Sequence, residues 1–254
     1  MKIKNLVMIL TLGAATMSCA NSAKQETKTN YADLTKQYAK VQLTSDISHL
    51  SDNEKQMLDY LYEIGNIMDD IFWTQQFGGD KEAFLNSIED KDARLFAEIN
   101  YGPWNHFDNL NPFLPEYGAM PAGAGFYPTD MTKEEFEAWD NPDKTSLYTL
   151  IKRDENGQLQ AVWYHEAYAE QINRVAELLN KAADLAGDKE FADYLRLRAK
   201  AVLTDDYFES DMAWMDVRNN NVDFVVGPIE NYVDALYGYK AAHEAFILIK
   251  DQAW

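Results

Sequence analysis

Residues 205–240, DDYFESDMAWMDVRNNNVDFVVGPIENYVDALYGYK, decide how this chain is read. Asn219-Asn220-Asn221 marks a turn, and Val222 to Ile229 reads as extended, with Pro228 unsuited to a central strand because it lacks a donor for the ladder. Gly227-Pro228 predicts a turn directly ahead of Glu230, Tyr232 and Asp234. In an extended backbone, residues two and four apart share a face. Carboxylate, phenol and carboxylate would then line one surface. Such a surface grips an ammonium with its acids and donates a hydrogen bond from the phenol to a developing oxyanion. The same spacing also fits an acidic strand edge with Tyr232 half packed, and spacing alone leaves that plainer reading open.

Outward from this stretch the chain reads as mainly helical. Ser51-x-x-Glu54 is a capping box, and Met57, Leu58, Leu61, Ile64, Ile67, Met68, Ile71 and Phe72 follow at helical spacing up to Gly78-Gly79. A second helix is predicted over about 80–98, and Thr132-x-x-Glu135 caps a short one through Trp139. Residues 101–128 mix prolines and glycines with aromatics and read as a structured irregular segment. Ser146 to Tyr164 is the one clear β signal, a hairpin turning at Asp154-Glu155-Asn156-Gly157. From His165 an apolar helical face leads to Gly187, and Phe191 to Leu203 form its antiparallel partner. A short helix is expected from Asp211, and Tyr239 to Lys250 reads as an apolar helix whose Phe246, Ile247 and Ile249 expect further protein. The fold class is therefore mainly α with a small β element, α+β.

Composition sets the outer limits. The 254 residues are 46% hydrophobic and 13% aromatic, enough apolar surface to offset the entropy of ordering, so a disordered chain is excluded. One cysteine cannot make a disulfide framework within the chain. Lys and Arg total 23 against 42 Asp and Glu, a formal net charge of -19, so nucleic acid is excluded as a partner for want of a basic face. Cationic groups would be favoured near clustered carboxylates.

The familiar catalytic signatures are missing. His165-Glu166 starts an HE pair, but Ala169 stands where HExxH needs its second histidine, and His49, His106 and His243 have no histidine partner at helical spacing. No Gly-x-Ser-x-Gly elbow or phosphate loop occurs. Carboxylate pairs suited to glycoside hydrolysis arise by chance among so many acids.

The amino terminus reads as an address. Lys2 and Lys4 precede the apolar run Leu6 to Leu12, which is too short to span a bilayer and has the flanks of a secretory signal. Small residues then lead to Cys19, as in the lipobox of bacterial lipoproteins, although Thr16 stands where Leu is usual. The expected division is a signal peptide over 1–18, a lipidated Cys19 with a flexible tether over 19–45, and a folded part over 46–254. The mature chain would be an exported protein held to a membrane of the bacterial envelope through that lipid.

Gly227-Pro228-Ile229-Glu230-Asn231-Tyr232-Val233-Asp234 resembles the GPIExYxD stretch of dipeptidyl-peptidase III, the zinc exopeptidases of metallopeptidase family 49. Neighbouring segments agree with its bacterial branch: Phe126-Tyr127-Pro128, Ser146-Leu147-Tyr148-Thr149, Asp211 to Asp216, and Gly238-Tyr239-Lys240-Ala241-Ala242. The resemblance runs from about residue 50 to the end. It implies the amino-terminal lobe of a two-lobed zinc exopeptidase that removes dipeptides from the free amino end of short peptides. The family's glutamate at the Glu230 position holds the substrate ammonium, and its tyrosine at the Tyr232 position stabilises the tetrahedral intermediate. Asn231 and Asp234 would be supporting cleft residues. Zinc belongs to the full-length family, on a helix carrying HExxGH. That motif is absent here, so no zinc is expected on this chain and it is expected to be inactive alone, with the missing carboxy-terminal lobe as a partner. The alternative is a surface lipoprotein that binds peptide or glycan without chemistry.

Overall fold

The computed structural model describes residues 29–253, so the stretch read as a signal peptide, Cys19 and the part up to residue 28 of the stretch read as a tether lie outside the described residues. Helix α1, Tyr31–Thr35, falls within the stretch read as tether. Tyr31, Leu34 and Tyr38 pack against a cluster of Trp73, Phe84, Phe96 and Phe113, so apolar burial orders this segment. Helix α2, Asp52–Phe77, is the longest element and opens on the full capping box: the Ser51 hydroxyl accepts from Glu54 N, and the Glu54 carboxylate accepts from Ser51 N at 2.8 Å. Gly78, at φ 77, ends it in the left-handed conformation.

The single helix expected over 80–98 is two helices, α3 over Lys81–Ser87 and α4 over Lys91–Asn100. Asp90 makes the break. Its carboxylate accepts from Asp92 N and Ala93 N, which starts a new helix and competes with continuing the old one. The irregular segment that follows holds a two-residue pair of strands, β1 over Trp104–Asn105 and β2 over Asn111–Pro112. Helix α5, Lys133–Ala138, is capped by Thr132.

The hairpin forms as expected, with β3 over Thr149–Arg153 and β4 over Leu159–Trp163 in antiparallel register. After the single turn of α6, Tyr164–Ala167, helices α7, Ala169–Leu185, and α8, Lys189–Val202, pack on each other. α7 also packs on α2, and Leu61, Ile64, Val175, Leu178, Leu179 and Leu195 there are almost wholly buried. Helix α9, Phe208–Asp216, lies against α8.

The last elements correct two expectations. Gly227 and Pro228 make no turn: both lie within strand β5, Val222–Glu230, and the irregularity is a bulge between Pro228 and Glu230. Pro228 is tolerated because β5 belongs to a two-stranded sheet and need not bond on both sides. The stretch from Tyr239 to Lys250 is not a helix but holds strand β6, Ala242–Ile249, paired antiparallel to β5 from Val222↔Ile249 to Glu230↔Ala242. Its period is two: Ala245, Ile247 and Ile249 pack on the core while Phe246 and Leu248 stand exposed. A short apolar run does not distinguish helix from buried strand, and here the unpaired backbone of β5 decides.

Lys240 ties the β5–β6 connection to the hairpin. Its wholly buried ammonium donates to Lys144 O and Ser146 O at 2.9 Å and to Thr149 Oγ1 at 2.8 Å. Burial pushes its pKa down to about 8, against the pull of Asp234. Above that value the unfolded chain binds the extra proton and the folded one does not, so this group adds stability as pH rises from about 8 toward 10.5. Lys240→Met strands three acceptors and is expected to cost about 3 kcal/mol in urea unfolding. The gap between the two proteins should widen over that pH range; a gap that stays constant would refute the assignment.

Candidate functional site

The loop between β5 and β6 is built around one carboxylate. Asp234 is 2% exposed. Its Oδ1 accepts from the backbone N–H of Leu236 and Tyr237, and its Oδ2 accepts from Tyr127 Oη at 2.8 Å and from the N–H of Tyr239 and Lys240. Asn231 closes the loop from the other side by donating from Nδ2 to Gly238 O at 2.7 Å. The chain therefore turns just after Glu230, and the extended face expected for Glu230, Tyr232 and Asp234 does not form. Glu230 and Tyr232 stay at the surface, while Asp234 points inward as the loop's anchor.

What the turn brings beside Glu230 and Tyr232 is a residue that sequence reasoning missed. Glu244, on β6 opposite Gly227, lines a cleft of about 300 Å³ together with Asp69, Phe72, Tyr101, Tyr232 and Phe246. Its Oε1 is shielded from solvent and has no hydrogen-bond partner. Burial pushes its pKa up, and the Glu230 carboxylate adds to the shift. The Tyr232 phenol is also raised, by burial first and then by Glu244 and Glu230, so at neutral pH it is an O–H donor. Two carboxylates thus lie beside the phenol, but the second is Glu244 and not the Asp234 that the spacing offered. The alternation of HEAFILI was the available signal.

Helix α2 fixes the strand that carries Glu244. Buried Gln75 accepts from His243 N with Oε1 at 2.8 Å, and its Nε2 meets His243 Nδ1 at 2.9 Å. The His243 ring is buried against Tyr164 and Tyr168, and desolvation pushes its pKa down to about 3. It is a neutral positioning group. His165 is likewise committed: buried Asp205 Oδ2 accepts from its backbone N–H at 3.0 Å and faces its Nδ1 at 2.8 Å. On the other side of the loop, Tyr232, Val233 and Ala235 close an apolar cavity of about 390 Å³ with Met120, Pro121 and Leu110. Tyr232 borders both spaces.

Among the described residues no three His, Cys, Asp or Glu side chains group to hold a metal ion. Cys19 lies outside the described residues.

Fold and site define a mainly helical α+β lobe with an acidic cleft at the mouth of a two-stranded sheet. No family model matches the chain. Its structure is similar to that of dipeptidyl-peptidase III, with TM-score 0.81 and 38% identity to the enzyme of Caldithrix abyssi over 87% of this chain. The dipeptidyl-peptidase III of Corallococcus sp. strain EGB matches with TM-score 0.82 and 33% identity over 88% of it. The chain covers 44% of each of those chains, so the likeness is to part of a dipeptidyl-peptidase III and to the fold of its lobe. Among curated proteins it is 30% identical, over 84% of its length, to Nudix hydrolase 3 of Arabidopsis thaliana, of which it covers 36%.

The mutual effect of the two carboxylates is measurable. In a carboxyl NMR titration, Glu244 should titrate above ordinary glutamate, and Glu230→Gln should move its midpoint down without restoring it fully, because burial is the larger cause. A midpoint unmoved by the substitution would show that Glu230 does not face Glu244.

Proposed function

We propose that this chain forms the amino-terminus-binding wall of a dipeptidyl peptidase. Glu230 and Glu244 hold the α-ammonium of a short peptide, and Tyr232 donates its hydroxyl proton in a hydrogen bond to a peptide carbonyl oxygen. Asn231 and Asp234 support the site by holding the loop in shape. The observation that carries the reading is the unpartnered, shielded Glu244 oxygen beside a second carboxylate: an acid in that setting gains a hydrogen-bonded cation at little further desolvation cost. The similarity to dipeptidyl-peptidase III supports the substrate class.

Chemistry of the bond cleavage is assigned to residues outside this chain, since HExxGH does not occur in the sequence. The role here is to bind, to orient and to present a neutral phenol. In an enzyme completed by the remaining part, Tyr232→Phe should lower kcat far more than it changes KM.

The full chain tests the reading directly. Calorimetry with a tetrapeptide and its N-acetylated twin should show binding of the free amine only. Glu230→Gln and Glu244→Gln should each weaken it by roughly tenfold, as expected for removal of one charged hydrogen-bond partner. Affinity should also fall as pH drops through the raised Glu244 pKa, because protonation removes the charge that holds the ammonium. Equal binding of the acetylated peptide would overturn the proposal. The Cys19 anchor is proposed on sequence alone: labelled palmitate should enter the exported protein and be lost in Cys19→Ala, and retention of label would refute it.

A further inference from the structure

A third cavity lies around α8 and α9, against β5, and is independent of the peptide reading. Its volume is about 370 Å³, and Tyr148, Arg198, Tyr207, Asp211, Trp214 and Met215 line it with the end of β5. Arg198 is only 6% exposed, yet it is poorly paired for a buried guanidinium. Its charge lies over the rings of Tyr194 and Tyr207, 5.4 and 5.2 Å from their centroids. Nη2 donates to Asp211 Oδ1 at 2.5 Å, but the Asp211 side chain is 59% exposed. Nε and the Tyr207 hydroxyl are both shielded from solvent and lack any hydrogen-bond partner. A buried cation with an unpartnered Nε and one solvent-exposed carboxylate as its ion-pair partner is an anion-binding arrangement.

Gly227 keeps the space open. A Cβ at that position would stand 3.2 Å from the Tyr207 ring and 3.7 Å from Arg198 Nη1, and its φ of 134 suits glycine.

We propose that this cavity binds an aromatic monocarboxylate, whose carboxylate takes the guanidinium edge now held by Asp211 and whose ring lies among Tyr148, Tyr207 and Trp214. Asp211 already shows that a carboxylate fits the cation, and its exposure lets it swing into water. Charge selects a monoanion. Asp211 bonds the guanidinium, and Asp205 and Asp223 lie close enough to act on the Tyr207 and Tyr194 rings that flank it, in a chain of net charge -19, so a second negative charge on the ligand adds repulsion with no second cation to meet it. The walls select the body, because aromatic rings pack edge or face against Tyr and Trp. A free aromatic acid and the carboxy-terminal aromatic residue of a peptide offer the same chemistry.

The test is titration of the full chain at pH 7 with benzoate and with neutral benzamide, followed by NMR. The Trp214 indole N–H, which donates to Asp223 Oδ1 at 3.0 Å, is the local reporter. Benzoate should bind saturably and at least about tenfold more tightly than benzamide. Asp211→Asn, which removes the resident competitor at an exposed position, should strengthen benzoate binding severalfold. Arg198→Lys should weaken it by about tenfold, since an ammonium cannot reproduce the planar fork. N-acetylphenylalanine then separates the sources: binding with loss on amidation identifies a peptide carboxy terminus, and binding of benzoate alone identifies a free acid. No saturable benzoate binding, equal binding of benzamide, or no gain in Asp211→Asn overturns the proposal. The last two arms decide the matter even if Arg198→Lys fails to fold.

Discussion

The buried Asp234 carboxylate is the constraint on which the site depends. It accepts from four backbone N–H groups and one phenol, all within the connection between β5 and β6 or packed on it. A buried carboxylate is tolerable only when its lone pairs are taken up, and these donors do so. Lys240, two residues before β6, is held by three neutral oxygens of the segment leading into the hairpin and lies close enough to Asp234 to feel its charge. The loop is thereby fixed at both ends. Its outer side, with Glu230 and Tyr232, can remain exposed and still be positioned.

Positioning also comes from below. Gln75, near the end of α2, bonds both the backbone and the ring of His243, next to Glu244. α2 begins on its capping box and is held by Asn221, whose side chain donates to Glu54 Oε1 at 3.0 Å, just before β5 begins. The longest helix thus meets the β5–β6 sheet at both of its ends. Substrate-facing groups on rigid elements lose less entropy when they bind than the same groups on a free loop.

The parts of the fold that were legible in sequence are those whose cause is local. Ser51 and Glu54 lie three residues apart and bond each other, and the hairpin turn at Asp154 to Gly157 needs only its own residues. The break at Asp90 is local too, yet the apolar spacing across 80–98 masks it, because a capping side chain and a solvent-facing one look alike in sequence. Strand β6 was illegible for a different reason. HEAFILI is compatible with helix or strand, and what makes it a strand is a partner some twenty residues away in β5. With the strand misread, Glu244 had no reason to be placed beside Glu230. Asp234 shows the same limit: its spacing from Glu230 fits one extended face, but the inward turn depends on donors that arrive from Tyr127 and Lys240.

Acidity changes meaning along β5. Across most of the surface, charges of one sign serve solubility and are screened by salt. Near Glu230 and Glu244 they are close enough that one raises the pKa of the other, and shielding removes the water that would relieve it. Such a pair is held at a cost that a bound ammonium would offset. Toward Arg198 the situation reverses: the cation is buried against the rings of Tyr194 and Tyr207, Asp211 is its bonded carboxylate, and its Nε has no hydrogen-bond partner. Pro228 and Ile229 of the same strand border the cavity at Arg198, and Glu230 follows them directly. The bulge at this point is what lets one strand serve two environments of opposite demand, since it redirects the side chains beyond Pro228 without breaking the pairing that resumes at Glu230↔Ala242.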